Sequence, residues 1–383
     1  MAAERWVQGN MSRMKRVMII GNLPEALLLF WSTLLGHLVS AGHTVRVCCP
    51  PMTEAIRSAL QAKGVSIEEI PMDRTGLNPL RDLRYVLALR RAMRVFHPDA
   101  VLNYTIKPNL YGSLAARSLA VPVTVSIITG LGYAFIPGGG TTRLILRRFL
   151  LGFYRLALRR NTTVFFLNAD DQALLLAEKA VRPEQARHLP GTGVDTARFP
   201  ATPPPTRPVF LMIARLLVDK GVREYAAAAH EVRRRHPEAE FRLAGWLDEN
   251  PACIRQTELD DWTKSGDIQF LGRLDDVRPA LAGCAVYVLP SYREGMPQTV
   301  LEALASGRAV ITTDAPGCRE SIRDGVEGLI VPARDPRALA QAMETLIAAP
   351  ETVCVMGRAA RLRAETVFEA SGIAHRVAEE LGC

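Results

Sequence analysis

Pro290-Ser-Tyr-Arg-Glu-Gly-Met-Pro-Gln-Thr-Val-Leu-Glu302-Ala-Leu-Ala-Ser-Gly307 decides the fold of this chain. Before it, residues 285–289 form an apolar run that reads as a buried strand. After it, residues 308–313 read as the next strand. Two glutamates lie between them. Glu294 falls in the loop leaving the first strand, and Glu302 falls one or two turns into the following helix. In an open α/β sheet, ligands bind in the crevice outside the carboxyl ends of the strands. A helix N-terminus there offers unpaired N–H groups to an anion such as a phosphate. Two nearby carboxylates can accept hydrogen bonds from sugar hydroxyls. The stretch therefore suits a sugar attached to a nucleoside diphosphate.

The same rhythm extends outward in both directions. Strand signals at 17–20, 44–48, 99–102, 123–128 and 163–166 alternate with helix signals at 27–40, 53–63, 81–95, 109–118 and 143–159. Such alternation predicts a parallel sheet with helices on both faces. Pro200-Ala-Thr-Pro-Pro-Pro-Thr-Arg-Pro208 is a stiff, proline-rich break. The rhythm then restarts, with strands at 209–214, 240–244, 268–271 and 328–331 and helices at 223–235, 277–282, 337–348 and 351–368. The expected division is a leader at 1–13, a first domain at 14–199, a linker at 200–208 and a second domain at 209–365. A C-terminal helix at 366–383 would return to pack on the first domain. The predicted fold class is α/β, with two doubly wound Rossmann-like domains facing a cleft.

A length of 383 residues suits two domains. With 48% hydrophobic and 22% charged residues the chain can bury a sizeable core. The net charge of +8 favours an anionic partner: a nucleotide diphosphate, an anionic lipid surface or a nucleic acid. No recognition-helix motif and no aromatics interleaved on a sheet support the nucleic acid. The seven cysteines show no CxxC spacing, which fits a reducing cytosol. There is no Asp-x-Asp, and the seven histidines make no ligand spacing, so no metal and no cofactor are expected. Gly138-Gly-Gly140 reads as a loop.

The second half opens on Phe210-Leu-Met-Ile-Ala-Arg-Leu-Leu-Val-Asp-Lys-Gly221. Arg215 leaves the end of a strand, Lys220 follows in the loop, and Gly221 lets the chain turn into a helix. Two fixed cations at that end of a strand can neutralise a diphosphate leaving group.

These motifs resemble the retaining family 4 glycosyltransferases of the GT-B fold. Within that family they are similar to bacterial enzymes that elongate lipid-linked oligosaccharides from UDP-N-acetylhexosamines. The stretches 103–117, 128–132, 247–251 and 314–320 add to the likeness, which covers about residues 14–380. The resemblance implies a metal-independent transfer of an N-acetylhexosamine, GalNAc or GlcNAc, from UDP to a polyprenyl-diphosphate-linked saccharide. It implies that Glu294 holds the donor sugar, with Gly295, Met296, Pro297 and Thr299 along the sugar and phosphates. Glu302 would accept from the ribose, and Arg215 and Lys220 would grip the diphosphate. Asn22, Lys107, Thr129 and Gly130 would face the acceptor. Relatives commonly place a histidine where Thr129 or Gly130 stands here. The alternatives are another GT-B chemistry, such as a UDP-sugar 2-epimerase, and a non-catalytic scaffold for glycan assembly.

Residues 143–160 carry six arginines (143, 147, 148, 155, 159 and 160) among Leu, Ile, Phe and Tyr. A basic amphipathic helix of this kind suits an anionic lipid interface. It is equally compatible with packing against a core. With the resemblance, the expected location is cytoplasmic and peripheral, on the inner face of the cell membrane.

Overall fold

The computed structural model describes residues 14–73, 78–135, 140–247, 250 and 252–383. The expected leader, most of the triple glycine and three residues of 247–251 lie outside these. The chain divides into two units. One comprises residues 1–167, 171–189 and 371–383; the other comprises 168–170 and 190–370.

Among the described residues, seven parallel strands form the sheet of the first unit: β1 (Arg16–Ile20), β2 (Thr44–Cys49), β3 (Ser66–Glu69), β4 (Ala100–Tyr104), β5 (Val123–Ile128), β6 (Thr163–Phe166) and β7 (Ala186–His188). Their order is β3-β2-β1-β4-β5-β6-β7. The central strands are apolar almost throughout, because helices cover both faces. The second sheet is built from β8 (Val209–Ile213), β9 (Glu240–Ala244), β10 (Gln269–Gly272), β11 (Val286–Leu289), β12 (Ala309–Thr313) and β13 (Gly328–Val331). Its order is β10-β9-β8-β11-β12-β13, again all parallel. Both orders reverse direction in the middle, at β1/β4 and at β8/β11. A crevice opens outside the strand ends at such a switch point.

The structure departs from the sequence reading in several places. The proline-rich stretch 200–208 lies inside the second unit, and the break falls at 189/190. Arg308, fully buried, donates to the Thr202 and Cys284 carbonyls at 2.7 and 3.1 Å, which ties that stretch to the second sheet. The helix expected at 27–40 is two, Pro24–Leu29 and Ser32–Ser40, interrupted at Phe30 and Trp31. The helix expected at 109–118 begins as a π-turn over Pro108–Gly112. Edge strands β3 and β7 were too short and polar to show the period-2 pattern. Ala370–Glu380 forms the last helix. Residues 371–383 belong to the first unit, where Lys15 Nζ donates to the Leu381 carbonyl at 3.3 Å.

Candidate functional site

The site of the second unit sits at its switch point. After β8, Ala214 donates to the Ala244 carbonyl at 3.1 Å, and Arg215 follows. The short turn Val218–Lys220 ends at Gly221, whose φ is +75°. A Cβ on Gly221 would run into the Pro290 carbonyl, so only glycine lets this loop lie against the one leaving β11. Tyr292 N–H donates to the Asp219 carbonyl at 2.8 Å and locks the two loops together. Lys220 Nζ consequently lies 2.5 Å from Glu294 Oε1, and Ser291 Oγ donates to the same oxygen at 2.8 Å.

The backbone of the second loop is fixed from outside as well. Glu294 N–H donates to the Pro316 carbonyl at 2.9 Å. Asn168 Nδ2 donates to the Gly295 carbonyl at 2.9 Å. Gly317, at φ +78°, presses against the carbonyls of Glu294 and Gly295. Met296 packs on Gly191, another glycine in the left-handed region. Pro297 caps the helix Gln298–Ala305 in an extended conformation. The first-turn N–H groups of any helix lack intrahelical partners. Here that turn points out of the sheet's carboxyl edge, beside the Lys220–Glu294 pair. Thr299 is pinned from below: the Tyr287 hydroxyl lies 2.6 Å from its Oγ1 and 3.1 Å from the Ile213 carbonyl. Burial pushes the Glu302 carboxyl up to about 7, against the pull of Arg198 and a hydrogen bond from Gln298.

An ammonium, two carboxylates and a helix start thus converge at one strand edge. Together they offer countercharge to phosphates and acceptors to hydroxyls. Sequence reasoning missed Asn168, Gly191 and the Asp314–Glu320 turn as supports of this loop. Asn168 ends the Phe-Phe-Leu-Asn run that begins inside β6, and nothing in its local pattern assigns it to the second unit. Arg319 also bridges Asp314 at 2.6 Å and Asp170 at 2.8 Å. Among the described residues, no three His, Cys, Asp or Glu side chains converge as metal ligands.

The four residues expected on the acceptor side all lie at the carboxyl edge of the first sheet. Asn22 follows β1 and Gly21, on which the buried Tyr104 hydroxyl packs. Thr129 and Gly130 follow β5, with Gly130 at φ +118°. Thr105, after β4, holds φ +72°, an outlier for a β-branched residue and the kind of strain that clusters at functional sites. Lys107 differs from the other three. It is buried, its Nζ lies 2.7 Å from Asp82 Oδ1, and Tyr111 donates to Asp82 Oδ2 at 2.8 Å. Its charge is compensated inside the fold.

The chain matches two family models: "Glycosyl transferase 4-like domain" over residues 30–192 and "Glycosyl transferases group 1" over 207–349. It is 27% identical over 303 residues to the Campylobacter jejuni N,N'-diacetylbacillosaminyl-diphospho-undecaprenol alpha-1,3-N-acetylgalactosaminyltransferase, covering 75% of this chain and 78% of that protein. It is 24% identical over 270 residues to an Escherichia coli UDP-Gal:alpha-D-GlcNAc-diphosphoundecaprenol alpha-1,3-galactosyltransferase, covering 67% and 68%. In fold it is similar to Anabaena HepE, solved in complex with UDP-glucose, with a TM-score of 0.77 at 18% identity over 96% of this chain and 99% of that one. Two Rossmann-like sheets, a site at the second switch point and both domain matches in chain order make this chain a glycosyltransferase of family 4, with the GT-B fold.

Proposed function

We infer that this glycosyltransferase moves a sugar from a UDP donor, GalNAc or GlcNAc in the first instance, onto a saccharide carried by polyprenyl diphosphate. Anomeric configuration would be retained, and no metal would take part. The observation that carries the reading is the Lys220–Glu294 pair at the start of the Gln298–Ala305 helix, with Arg215 leaving the neighbouring strand. The names of the C. jejuni and E. coli relatives supply the substrate class.

In this reading Glu294 accepts from the donor sugar's hydroxyls, and Lys220 and Arg215 take the diphosphate. Gly295, Met296 and Pro297 line the sugar and phosphates, and Glu302 accepts from the ribose. As the bond to the leaving diphosphate breaks, negative charge grows on its oxygens, where fixed cations stabilise it most. That diphosphate accepts the acceptor's proton on the same face of the sugar, so Thr129, standing where relatives place a histidine, need not act as a base. The acceptor approaches from the first unit's edge at Asn22, Thr129 and Gly130, while Lys107 holds that edge in shape through Asp82.

A donor panel of UDP-GalNAc, UDP-GlcNAc, UDP-hexoses and GDP-mannose, offered with a polyprenyl-diphosphate-linked sugar, tests the assignment. The expected result is UDP release only when acceptor is present, an α-linked product by NMR, and no loss in EDTA. Epimerised free UDP-sugar, or turnover without acceptor, would sink it.

Because the Glu302 carboxyl sits near 7 and its ionised form accepts hydroxyl hydrogen bonds more strongly than its protonated form, UDP affinity should rise with pH through that value. Below it, each unit of acidity costs up to about tenfold, since binding must first expel a proton. The free protein responds in the opposite direction. Folded Glu302 holds a proton between about 4.5 and 7 while the unfolded chain does not, so its contribution to stability falls as pH rises through that window. Calorimetric UDP titrations at pH 6 and 8 decide; equal affinity at both would remove Glu302 from the ribose.

The proposal also places the enzyme on the inner face of the membrane. No helix among the described residues is long and apolar enough to cross one. The helix Thr141–Leu158 instead exposes Leu144, Ile145 (63%), Phe149 (56%) and Leu156, with Arg148 and Arg155 exposed among them. The helix Pro79–Phe96 exposes Leu80, Leu83 and Leu87 with Arg84 and Arg91 in the same way. Exposed leucines set among arginines suit an anionic interface. Sedimentation with phosphatidylglycerol vesicles but not phosphatidylcholine ones is expected, and equal sedimentation with both would count against it.

A further inference from the structure

The first unit also has a half-open cavity of about 250 Å³ at the edge of its sheet opposite Asn22 and Thr129. Thr124 lies near the start of β5, and Asn161 just before β6. With Ser113 they form a floor that is almost fully buried, each at most 5% exposed. The floor is rigid. Asn161 Nδ2 donates to Ser113 Oγ at 3.1 Å and to Ser126 Oγ at 2.7 Å, and the two serine hydroxyls lie 3.3 Å apart.

Arg117 and Arg160, with Ala120 and Val121, complete the lining, and no carboxylate is among them. Among the described residues, arginines elsewhere are commonly held by an Asp or Glu, as Arg223 is by Glu258 and Arg319 by Asp170. Among the described residues, Arg117 has a hydrogen bond only to the Leu156 carbonyl, at 3.4 Å, and neither arginine has an acidic partner. Arg117 lies in the last turn of the helix Ser113–Ser118 and Arg160 just past the helix Thr141–Leu158, and the negative end of a helix favours a cation. That accounts for a charge at each end, but not for a cavity with a polar floor between them.

We propose that this cavity binds a phosphate group. Two planar forks over fixed polar groups match a tetrahedral oxyanion better than two ammonium points would. The volume falls below the roughly 300–1,000 Å³ of pockets that take whole small molecules, so one phosphate group fits and a nucleotide does not. The group would come either from free phosphate or from an anionic phospholipid head. Arg160 lies just beyond the helix that exposes Ile145 and Phe149.

The test compares the full chain with Arg117→Ala/Arg160→Ala and with Arg117→Lys/Arg160→Lys, each checked for an unchanged melt. Inorganic phosphate is titrated at constant ionic strength against chloride and followed by 31P NMR. Phosphatidylglycerol vesicles form the second arm. Saturable phosphate binding, weakened about tenfold or more in the Ala variant and severalfold in the Lys variant, supports the site and free phosphate as its ligand. Vesicle binding that falls in both variants, without binding of free phosphate, supports a lipid head. Three equal phosphate isotherms, no response to either probe, or vesicle binding that the Lys variant fully restores would overturn the proposal. The last result would mean surface charge alone. Thr124→Val, which keeps both arginines, should also weaken binding severalfold if the floor takes part.

Discussion

Glu294→Gln should lower the turnover number of sugar transfer by about 10²–10³-fold at a cost of only about 1 kcal/mol in stability, because the glutamine oxygen can still accept from Lys220. The substitution keeps the side chain's shape and its contact with Ser291, and removes only the charge that faces Lys220. A loss of that size is what removing one preorganised electrostatic partner of a developing charge costs. Lys220→Ala should reduce activity at least as far, but it should also destabilise the second unit. It leaves Glu294 charged and without its cation in a site where the two side chains keep only 17% and 14% of their exposure. Stranding a buried charge costs roughly 3–5 kcal/mol, and about 2–3 kcal/mol is expected where some water reaches it. The double variant Lys220→Ala/Glu294→Gln separates the two roles. Its stability should recover towards that of the native protein, because no charge is left unpaired, while its activity stays as low as that of the worse single variant. Kinetics on the three proteins, beside urea melts, read both effects. An active double variant would mean that the pair is structural. A double variant far worse than either single would mean that the two residues act on separate steps.

What the sequence made legible follows from locality. β11, its loop and the helix Gln298–Ala305 are contiguous, so strand, turn residues and helix could be read in one pass. The same holds for β8, Arg215, Lys220 and Gly221. That these two loops meet is not local. It depends on β8 and β11 being neighbours in a sheet, and on Gly221 lying under the Pro290 carbonyl. The supports that sequence reading missed are all of the distant kind. Asn168 is 127 residues from Gly295, and Asp82 is 25 residues from Lys107. Lys107 was expected to face the acceptor because nothing near it in the chain announces the buried carboxylate that holds it. The linker misled for a related reason. Proline-rich composition correctly signals extended, non-helical backbone, but composition carries no information about Arg308, which binds that backbone to the second sheet.

Gly317→Ala should cost donor affinity about 100-fold and several kcal/mol of stability. Two separate costs meet at this position. An alanine at φ +78° pays roughly 1–2 kcal/mol for the left-handed backbone alone. Its Cβ would also strike the carbonyls of Glu294 and Gly295, which are backbone atoms with no rotamer to give way. Either the Asp314–Glu320 turn withdraws or the Glu294–Gly295 segment is pushed off the position that Asn168 and Pro316 hold. In both cases Glu294 leaves Lys220, and losing about 2.8 kcal/mol of their contacts to the donor is the hundredfold in affinity. Gly325→Ala is the control. That glycine has nearly the same φ, +73°, and nothing lies within 4 Å of where its Cβ would stand. It should therefore show the conformational cost and keep its UDP affinity. The comparison isolates crowding against the loop from strain in the turn. If Gly317→Ala and Gly325→Ala lose the same stability and both bind UDP normally, the loop of Glu294 and Gly295 does not need the fixed position that this reading gives it.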